Sequence, residues 1–599
     1  MVRWLMLALL LLAGRSGSAQ SGVAWRPWGP AAFAEGRTTG RLVLVDAEAT
    51  WCHWCHVMEA RTYSDPAVVA LLGAKVVAVK ADIDRHPDAR ELYEDIGWPG
   101  TAIYAPDGTL LYRHRGYLEP AAFLAVLRGL LADQARGAFT PWGETPQAPA
   151  VATPEGPALE RALRQLAGTF DADRGGWGVT QKYPIAANVE ASLLAGEAGR
   201  DPAMRLRALY TLVRQRAITD PVWGGLYQYS VGPTWHDVHF ERLATLQAGY
   251  LENLALATRA TGDGDWVEDA RRTLAFATRF LEAPEGGFAA SMDADLGGYE
   301  TDRPYLDGHA YFALDDAGRV KAGIPRVDRR RYAQVQGLMI SALASLHAAA
   351  PELDTLAAAR RAEAYAERAL AEGDGYRHEA ETPGAAFLSD QAAMLKGLLA
   401  LHEATGERPF LARAERLGAF ITGRFATASG LYRARAAEPG AFGALAEVRT
   451  PFDDNAALAR GLLRLHAFTG DPAWRDRALG ILRVLDGPGA VDGQGRWVGE
   501  FAAACLEASG EPAHLTVVGA AEDPRTQALF QAALATFAAN RVVVRHDPAW
   551  GPPRHPDLGF PPVKAPAAFL CGKGSCSRPL TEAASLVEDL AALEARRGR

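Results

Sequence analysis

Cysteine is scarce in this 599-residue chain, which has only Cys52, Cys55, Cys505, Cys571 and Cys576. Five residues cannot staple a fold of this size, and a chain this long can bury an ordinary apolar core without them. Positive charge is not in excess either. Lys and Arg number 63 against 71 Asp and Glu, a formal charge of −8 that gives no basic footprint for nucleic acid. Beyond the first residues no apolar run is long enough to cross a bilayer. With 49% hydrophobic and 22% charged residues, the chain reads as globular, and its length calls for two or more domains.

The N-terminus carries the marks of an export signal. Arg3 supplies positive charge, Trp4 to Ala13 is a short apolar run, and Gly17-Ser18-Ala19 offers small residues for cleavage after Ala19. An uncleaved anchor is the alternative. A secreted or periplasmic location is therefore expected, with no integral membrane segment once residues 1–19 are removed. Disulfide chemistry is then open to the chain.

Residues 20–139 read as one α/β unit. A strand at Leu42–Ala47 leads into Cys52-His53-Trp54-Cys55 and a helix towards Leu72. A strand at Val76–Ala81 and a helical stretch to Ile96 follow. Gly97-Trp98-Pro99-Gly100 then precedes a hairpin around Pro106-Asp107-Gly108 and a closing helix from Glu119. This is the thioredoxin order, with Trp98-Pro99 where that fold sets a cis-proline against its dithiol. Residues 140–157, rich in Pro, Gly and Thr, form a linker.

Residues 158–511 change to long Ala/Leu/Arg-rich helices with an internal repeat. Thr261-Gly262-Asp263, Thr405-Gly406-Glu407 and Thr469-Gly470-Asp471 are each followed by an aromatic residue and then, four positions on, by Ala. Gly ends one helix at each corner, and the aromatic and Ala share one face of the next. Gly-aromatic breaks recur between helices at Gly176-Trp177, Gly225-Leu226-Tyr227, Gly287-Phe288 and Gly375-Tyr376, with Leu431-Tyr432. About twelve helices fit, which suits an (α/α)6 toroid better than an open solenoid. Residues 512–599 read as a small α/β appendage carrying Cys571 and Cys576.

Thiolate is the nucleophile in disulfide exchange, and a CxxC at a strand-to-helix junction favours it. Cys52 would sit at the helix N-terminus, with His53 adding positive charge and Cys55 placed to resolve a mixed disulfide. Cys52-His53-Trp54-Cys55-His56 also matches the c-type haem pattern, against which stands the thioredoxin element order. A metal site borrowing Asp82 or Asp84 is a further alternative. Cys571 and Cys576 are read as a local disulfide tying a hairpin, with electron transfer to the front dithiol as the rival reading.

Cys52-His-Trp-Cys-His-Val-Met-Glu59 closely resembles the signature of the spermatogenesis-associated protein 20-like family. Asp82 to Asp88, Tyr227 to Val231 with His239-Phe240-Glu241, Ser291 to Asp295, and Cys571 to Pro579 resemble further segments of it. The resemblance implies a thioredoxin-like domain joined to a six-hairpin toroid. Departures are a shortened Gly97-Trp98-Pro99 and Arg242 in place of a Lys. Toroids of this kind resemble glycoside hydrolases and sugar epimerases. The barrel candidates are thus His239 as a base, Glu241, Asp293 and Asp295 as carboxylates, and Tyr227, Tyr229, Trp177 and Trp235 as sugar-stacking rings. Asp390, Asp453 and Asp454 are further carboxylates on loop-like segments.

The expectation is an α/β thioredoxin-like domain, an all-α six-hairpin glycosidase-like toroid and an α/β appendage. The expected activity is thiol–disulfide oxidoreduction through Cys52 and Cys55, with His53, Trp98 and Pro99 in support. The partner is a protein dithiol or disulfide, and a carbohydrate is a further candidate ligand. No cofactor or resident metal is expected. A carbohydrate-active enzyme with a regulatory thioredoxin domain is the alternative.

Overall fold

The computed structural model describes residues 22–143, 157–297, 305–382, 386–436, 441–538, 540–556, 558–572 and 575–590. The expected signal segment 1–19 and most of the expected 140–157 linker lie outside these.

The N-terminal domain is a five-stranded sheet in the order β1 (Arg26–Pro27), β3 (Val76–Asp82), β2 (Leu42–Glu48), β4 (Gly100–Tyr104), β5 (Leu110–Arg115). β2 runs parallel to β3 and antiparallel to β4. Helices α1 (Pro30–Thr39), α2 (His53–Arg61), α3 (Pro66–Lys75), α4 (Pro87–Tyr93) and α5 (Pro120–Arg136) cover it. Four of the five open on proline, whose fixed φ suits a first turn and whose missing N–H costs nothing there. β2 is apolar on both faces because both are buried. Leu42 and Leu44 point to a core with Met58, Phe123 and Leu127. Val43, Val45 and Ala47 point to the dithiol face, where Ala444 and Leu445 from the helical domain join the same core.

The helical domain is a closed ring. Its inner helices are α7 (Ala186–Glu197), α9 (Ala244–Thr261), α13 (Ala333–Ala349), α15 (Leu388–Thr405), α17 (Phe452–Thr469) and α20 (Gly499–Ala508). Each packs on the next, and α20 returns to α7. An outer helix backs each one: α6 (Ala158–Gly168) on α20, α8 (Pro202–Gln215) on α7, and α10 (Gly264–Phe276) on α9. Continuing round, α14 (Leu356–Tyr365) lies on α13, α16 (Arg408–Arg424) on α15, and α18 (Pro472–Leu485) on α17. Short helices α11 (Gly308–Phe312), α12 (Asp316–Ala322) and α19 (Ala490–Gly493) are excursions. This is the (α/α)6 toroid.

Inner helices are buried nearly all round, and small residues let them approach. A Cβ on Gly337 would lie 2.3 Å from the Ala393 carbonyl carbon, so α13 and α15 cross at backbone contact. The Gly-aromatic loops are pinned by amides from the first turns of the inner helices. Gln247 holds both backbone polar groups of Leu226, and Gln336 does the same for Phe288. Gln391 holds Tyr376 and Asn455 holds Tyr432 in the same way. Each amide satisfies a buried N–H and C=O that would otherwise be orphaned.

The C-terminal region carries a four-stranded sheet and α21 (Pro524–Leu534). It sits against α13, α15 and α17, with Arg545 at the Gly406 corner that ends α15. The thioredoxin-like domain covers the opposite end of the ring, where α15 begins.

Candidate functional site

The dithiol lies where β2 gives way to α2. Cys52 is the N-cap of α2, and its Sγ accepts the Cys55 N–H at 3.2 Å. The two cysteines are joined as a disulfide, and each is 4% exposed. Trp98 packs against this face, and the Trp98–Pro99 peptide is cis. Trp54, between the cysteines, is exposed and stacks on Tyr117.

Above the dithiol sits the toroid. A small antiparallel sheet joins Arg242–Leu243, Ser291–Met292 and Val327–Asp328. Glu241 precedes the first of these strands, and Asp293 and Asp295 follow the second, so the pairing brings all three carboxylates to one edge. That edge meets the start of α2. Asp295 Oδ2 is 2.6 Å from His53 Nδ1, and Glu241 Oε1 is 3.5 Å from the His53 backbone N–H. Asp293 Oδ2 is 3.8 Å from His56 Nε2, which donates to the Thr50 carbonyl at 3.0 Å. Backbone N–H groups fix the carboxylates from behind: Asp295 N donates to Asp293 Oδ1 and Gly308 N to Asp295 Oδ1. Only glycine fits at 308, because a Cβ there would sit 2.7 Å from the Ala294 carbonyl.

The electrostatics follow from this crowding. The hydrogen bond that His53 donates to Asp295, outweighing the opposing effect of burial, raises the His53 pKa and favours imidazolium beside Cys52. Burial pushes the Asp293 carboxyl well above the usual carboxylate range, and the nearby Asp295 and Glu241 charges add to this. His239 Nδ1 lies 3.6 Å from Glu241 Oε2, and its ring stacks on Tyr229 at 4.4 Å. Dithiol and barrel candidates therefore form one cluster across the domain boundary.

Several expected roles do not survive the geometry. Trp177, Trp235 and Tyr227 are core residues, 1%, 0% and 4% exposed, and present no ring face to a ligand. Tyr227 packs on Arg242, which is fully buried with Arg319 around the carboxylate of Asp220. Asp82 pairs with Arg330, and Asp84 accepts from Trp51 and Arg90, so neither is left to join the cysteines on a metal. Asp390 bonds to His378, whose other nitrogen reaches the Asp84 carbonyl. Asp453 and Asp454 lie in the first turn of α17 rather than on a loop, but both remain candidates: burial raises Asp453 to about 8 and Asp454 to about 7, and Asp454 lines the ring cavity. Cys571 and Cys576 are bonded to each other at the far end of the ring. The 18 residues of α15 separate the two ends by roughly 27 Å, which excludes direct exchange with Cys52.

The ring also encloses a cavity of about 230 Å³ that the sequence reading missed. Each inner helix contributes a polar group to it: Glu190, Glu252, Ser341, Lys396, Arg460 and Glu500. Arg460 pairs with Glu190 and Glu500, and Lys396 with Glu252. Burial alone would raise the Glu190 carboxyl, but Arg460 and Lys396 outweigh it and hold the value down to about 2. The available signal was a charged residue interrupting an Ala/Leu-rich helix, as Lys396 does.

Fold and site together define a thioredoxin-like CxxC domain seated on an (α/α)6 toroid. The family described as "Thioredox_DsbH: Protein of unknown function, DUF255" matches residues 16–127. Over the longer span, spermatogenesis-associated protein 20 of Homo sapiens is 22% identical, covering 94% of this chain and 89% of its own. The uncharacterized protein B0495.5 of Caenorhabditis elegans is 24% identical, over 78% and 72%. The resemblance to the spermatogenesis-associated protein 20-like family thus extends along nearly the whole chain. Among solved structures, a cellobiose 2-epimerase from Bacillus thermoamylovorans aligns with a TM-score of 0.44 and 11% identity, over 58% of this chain and 98% of that one. A D-mannose isomerase aligns with a TM-score of 0.42 and 13% identity, over 55% and 88%.

Proposed function

We propose that this protein is an exported thiol–disulfide oxidoreductase. The observation that carries the reading is Cys52 at the N-cap of α2, its sulfur facing the Cys55 N–H with His53 beside it. Helix-terminal N–H groups and imidazolium favour the thiolate. In the reduced protein, Cys52 thiolate attacks a client disulfide, forming a mixed disulfide and releasing one client thiolate. Cys55 thiolate then attacks Cys52 Sγ, releases the second client thiolate and closes the Cys52–Cys55 bond. Two electrons pass to the client, and the reverse sequence oxidises a dithiol.

Disulfide reduction by purified protein tests this. Cys52→Ser should abolish turnover, and Cys55→Ser should trap the mixed disulfide; full turnover in Cys52→Ser rejects the reading. Because Cys52 is 4% exposed beneath the toroid edge, a small aromatic disulfide should be reduced faster than insulin. Among the described residues no helix is long and apolar enough to cross a membrane. N-terminal sequencing of exported protein should begin at Gln20.

A second reading, carbohydrate chemistry in the toroid, draws on the enclosed polar cavity. A glycan panel comparing wild type with Asp454→Asn and Glu500→Gln, both on the cavity wall, tests it, and turnover lost in both variants would favour it.

A further inference from the structure

We propose that the end of the ring cavity nearest the C-terminal appendage binds a small oxyanion, a carboxylate or phosphate group, through Arg259. The inference is independent of whether the dithiol turns over clients and of whether the ring acts on carbohydrate.

The pairing of charges around the cavity carries it. The cations that line the cavity are Arg259, Lys396, Arg460, Arg464 and Arg541. Lys396 pairs with Glu252, Arg464 with Glu403, and Arg460 with Glu190, Glu500 and Glu507. Arg259, in the last turn of α9, makes no ion pair or hydrogen bond among the described residues, and its Nε is buried without an acceptor. Glu403 and Glu252 are the carboxylates whose charges act on it, and both are spent. Glu403 Oε2 accepts from Arg464 and its Oε1 accepts the Val543 N–H at 2.9 Å. Glu252 accepts from Ser341 at 3.1 Å and from Lys396 at 2.7 Å.

The neighbours of Arg259 sharpen the mismatch. Arg464 and Arg541 stand close enough to repel its charge. Towards the middle of the ring, Glu190, Glu252 and Glu500 outnumber Lys396 and Arg460, so the cavity is polarised along its axis. An anion is directed to the appendage end, where Arg541 also lines the wall. A guanidinium kept from water with unmet donors and like charges beside it is costly unless an anion meets it. Its planar fork matches a carboxylate or a phosphate in bidentate geometry.

The test uses the purified full chain, freed of phosphate, sulfate and carboxylate buffers by dialysis into Tris. Radiolabelled inorganic phosphate and radiolabelled D-glucuronate are offered in separate equilibrium dialyses, run overnight because the ring encloses the site. Saturation at one anion per chain is expected in at least one arm, and the arm that saturates tells phosphate from carboxylate. Affinity should fall at least tenfold in Arg259→Met. Because Arg259 has no carboxylate partner to orphan, that variant should melt no lower than the wild type without ligand. Circular dichroism checks its fold, and Arg259→Gln substitutes if it is not folded. No saturable binding of either anion up to roughly 1 mM overturns the proposal, as does wild-type affinity in the folded variant.

Discussion

Replacing His53 with glutamine removes an imidazole that Asp295 holds beside Cys52. The raised His53 pKa favours positive charge there, and Asp293, Asp295 and Glu241 are left less balanced without it. For neighbouring side chains, a unit charge at a separation of about 6 Å and an effective dielectric of about 20 is worth about 3 kcal/mol. The His53 side chain is 26% exposed, and solvent screening reduces the expected loss to about 1 kcal/mol. That is about a fivefold smaller thiolate population at neutral pH. The assay is the pH dependence of alkylation at Cys52 in reduced protein, with mass spectrometry locating the label. Alkylation as fast as wild type, or faster, would refute the electrostatic coupling of toroid and dithiol.

The same pair makes stability depend on pH. Its folded-state value is raised above the unfolded value near 6.5, so its contribution is complete below about 6.5 and is lost as pH rises through the folded value. Wild type should lose unfolding free energy over that range, and His53→Gln should flatten the dependence in denaturant titrations. Asp220→Asn leaves Arg242 and Arg319 fully buried beside a neutral amide, and a loss of about 3–5 kcal/mol is expected in denaturant unfolding. Gly443→Val places a branched side chain at φ +61°, where even a Cβ would lie 2.9 Å from Phe33 of the thioredoxin-like domain. Faster hydrogen exchange in α1 and α2 should report the loosened seam, at a cost of about 1–3 kcal/mol.

The elements of the thioredoxin-like domain were legible because its strands are continuous apolar runs and its turns carry Pro and Gly. The ring was legible from three corners, whose Gly262, Gly406 and Gly470 all adopt φ near +70°. Its closure depends on α20 meeting α7, a contact between residues some 300 apart that no local pattern encodes. The site divides in the same way. Cys52, Cys55 and His53 are contiguous, and their roles follow from position on one helix. The meeting of His53 with Asp295, 242 residues away, depends on how the domains dock. Trp177 and Trp235 misled because a large ring in a loop looks the same in sequence whether it fills a core or faces a ligand. The burial of Arg242 with Asp220 and Arg319 was equally hidden, since charged residues are ordinarily solvated.

The docking also bears on which of the two modules does chemistry. A glycosidase needs two carboxyls in one accessible pocket, one protonated and one ionised. Glu241, Asp293 and Asp295 are turned instead to the start of α2, where thioredoxin-like residues cover them. Of the carboxylates lining the ring cavity, Glu190 and Glu252 are in ion pairs with Arg460 and Lys396, and Glu190, held near 2, cannot donate a proton at neutral pH, whereas burial raises Asp454 to about 7 and leaves it as the cavity's candidate proton donor. The barrel's acidic edge, by contrast, faces the dithiol's own imidazoles. Its physical effect is to set the charge beside Cys52, a role that a toroid can fill without binding any sugar.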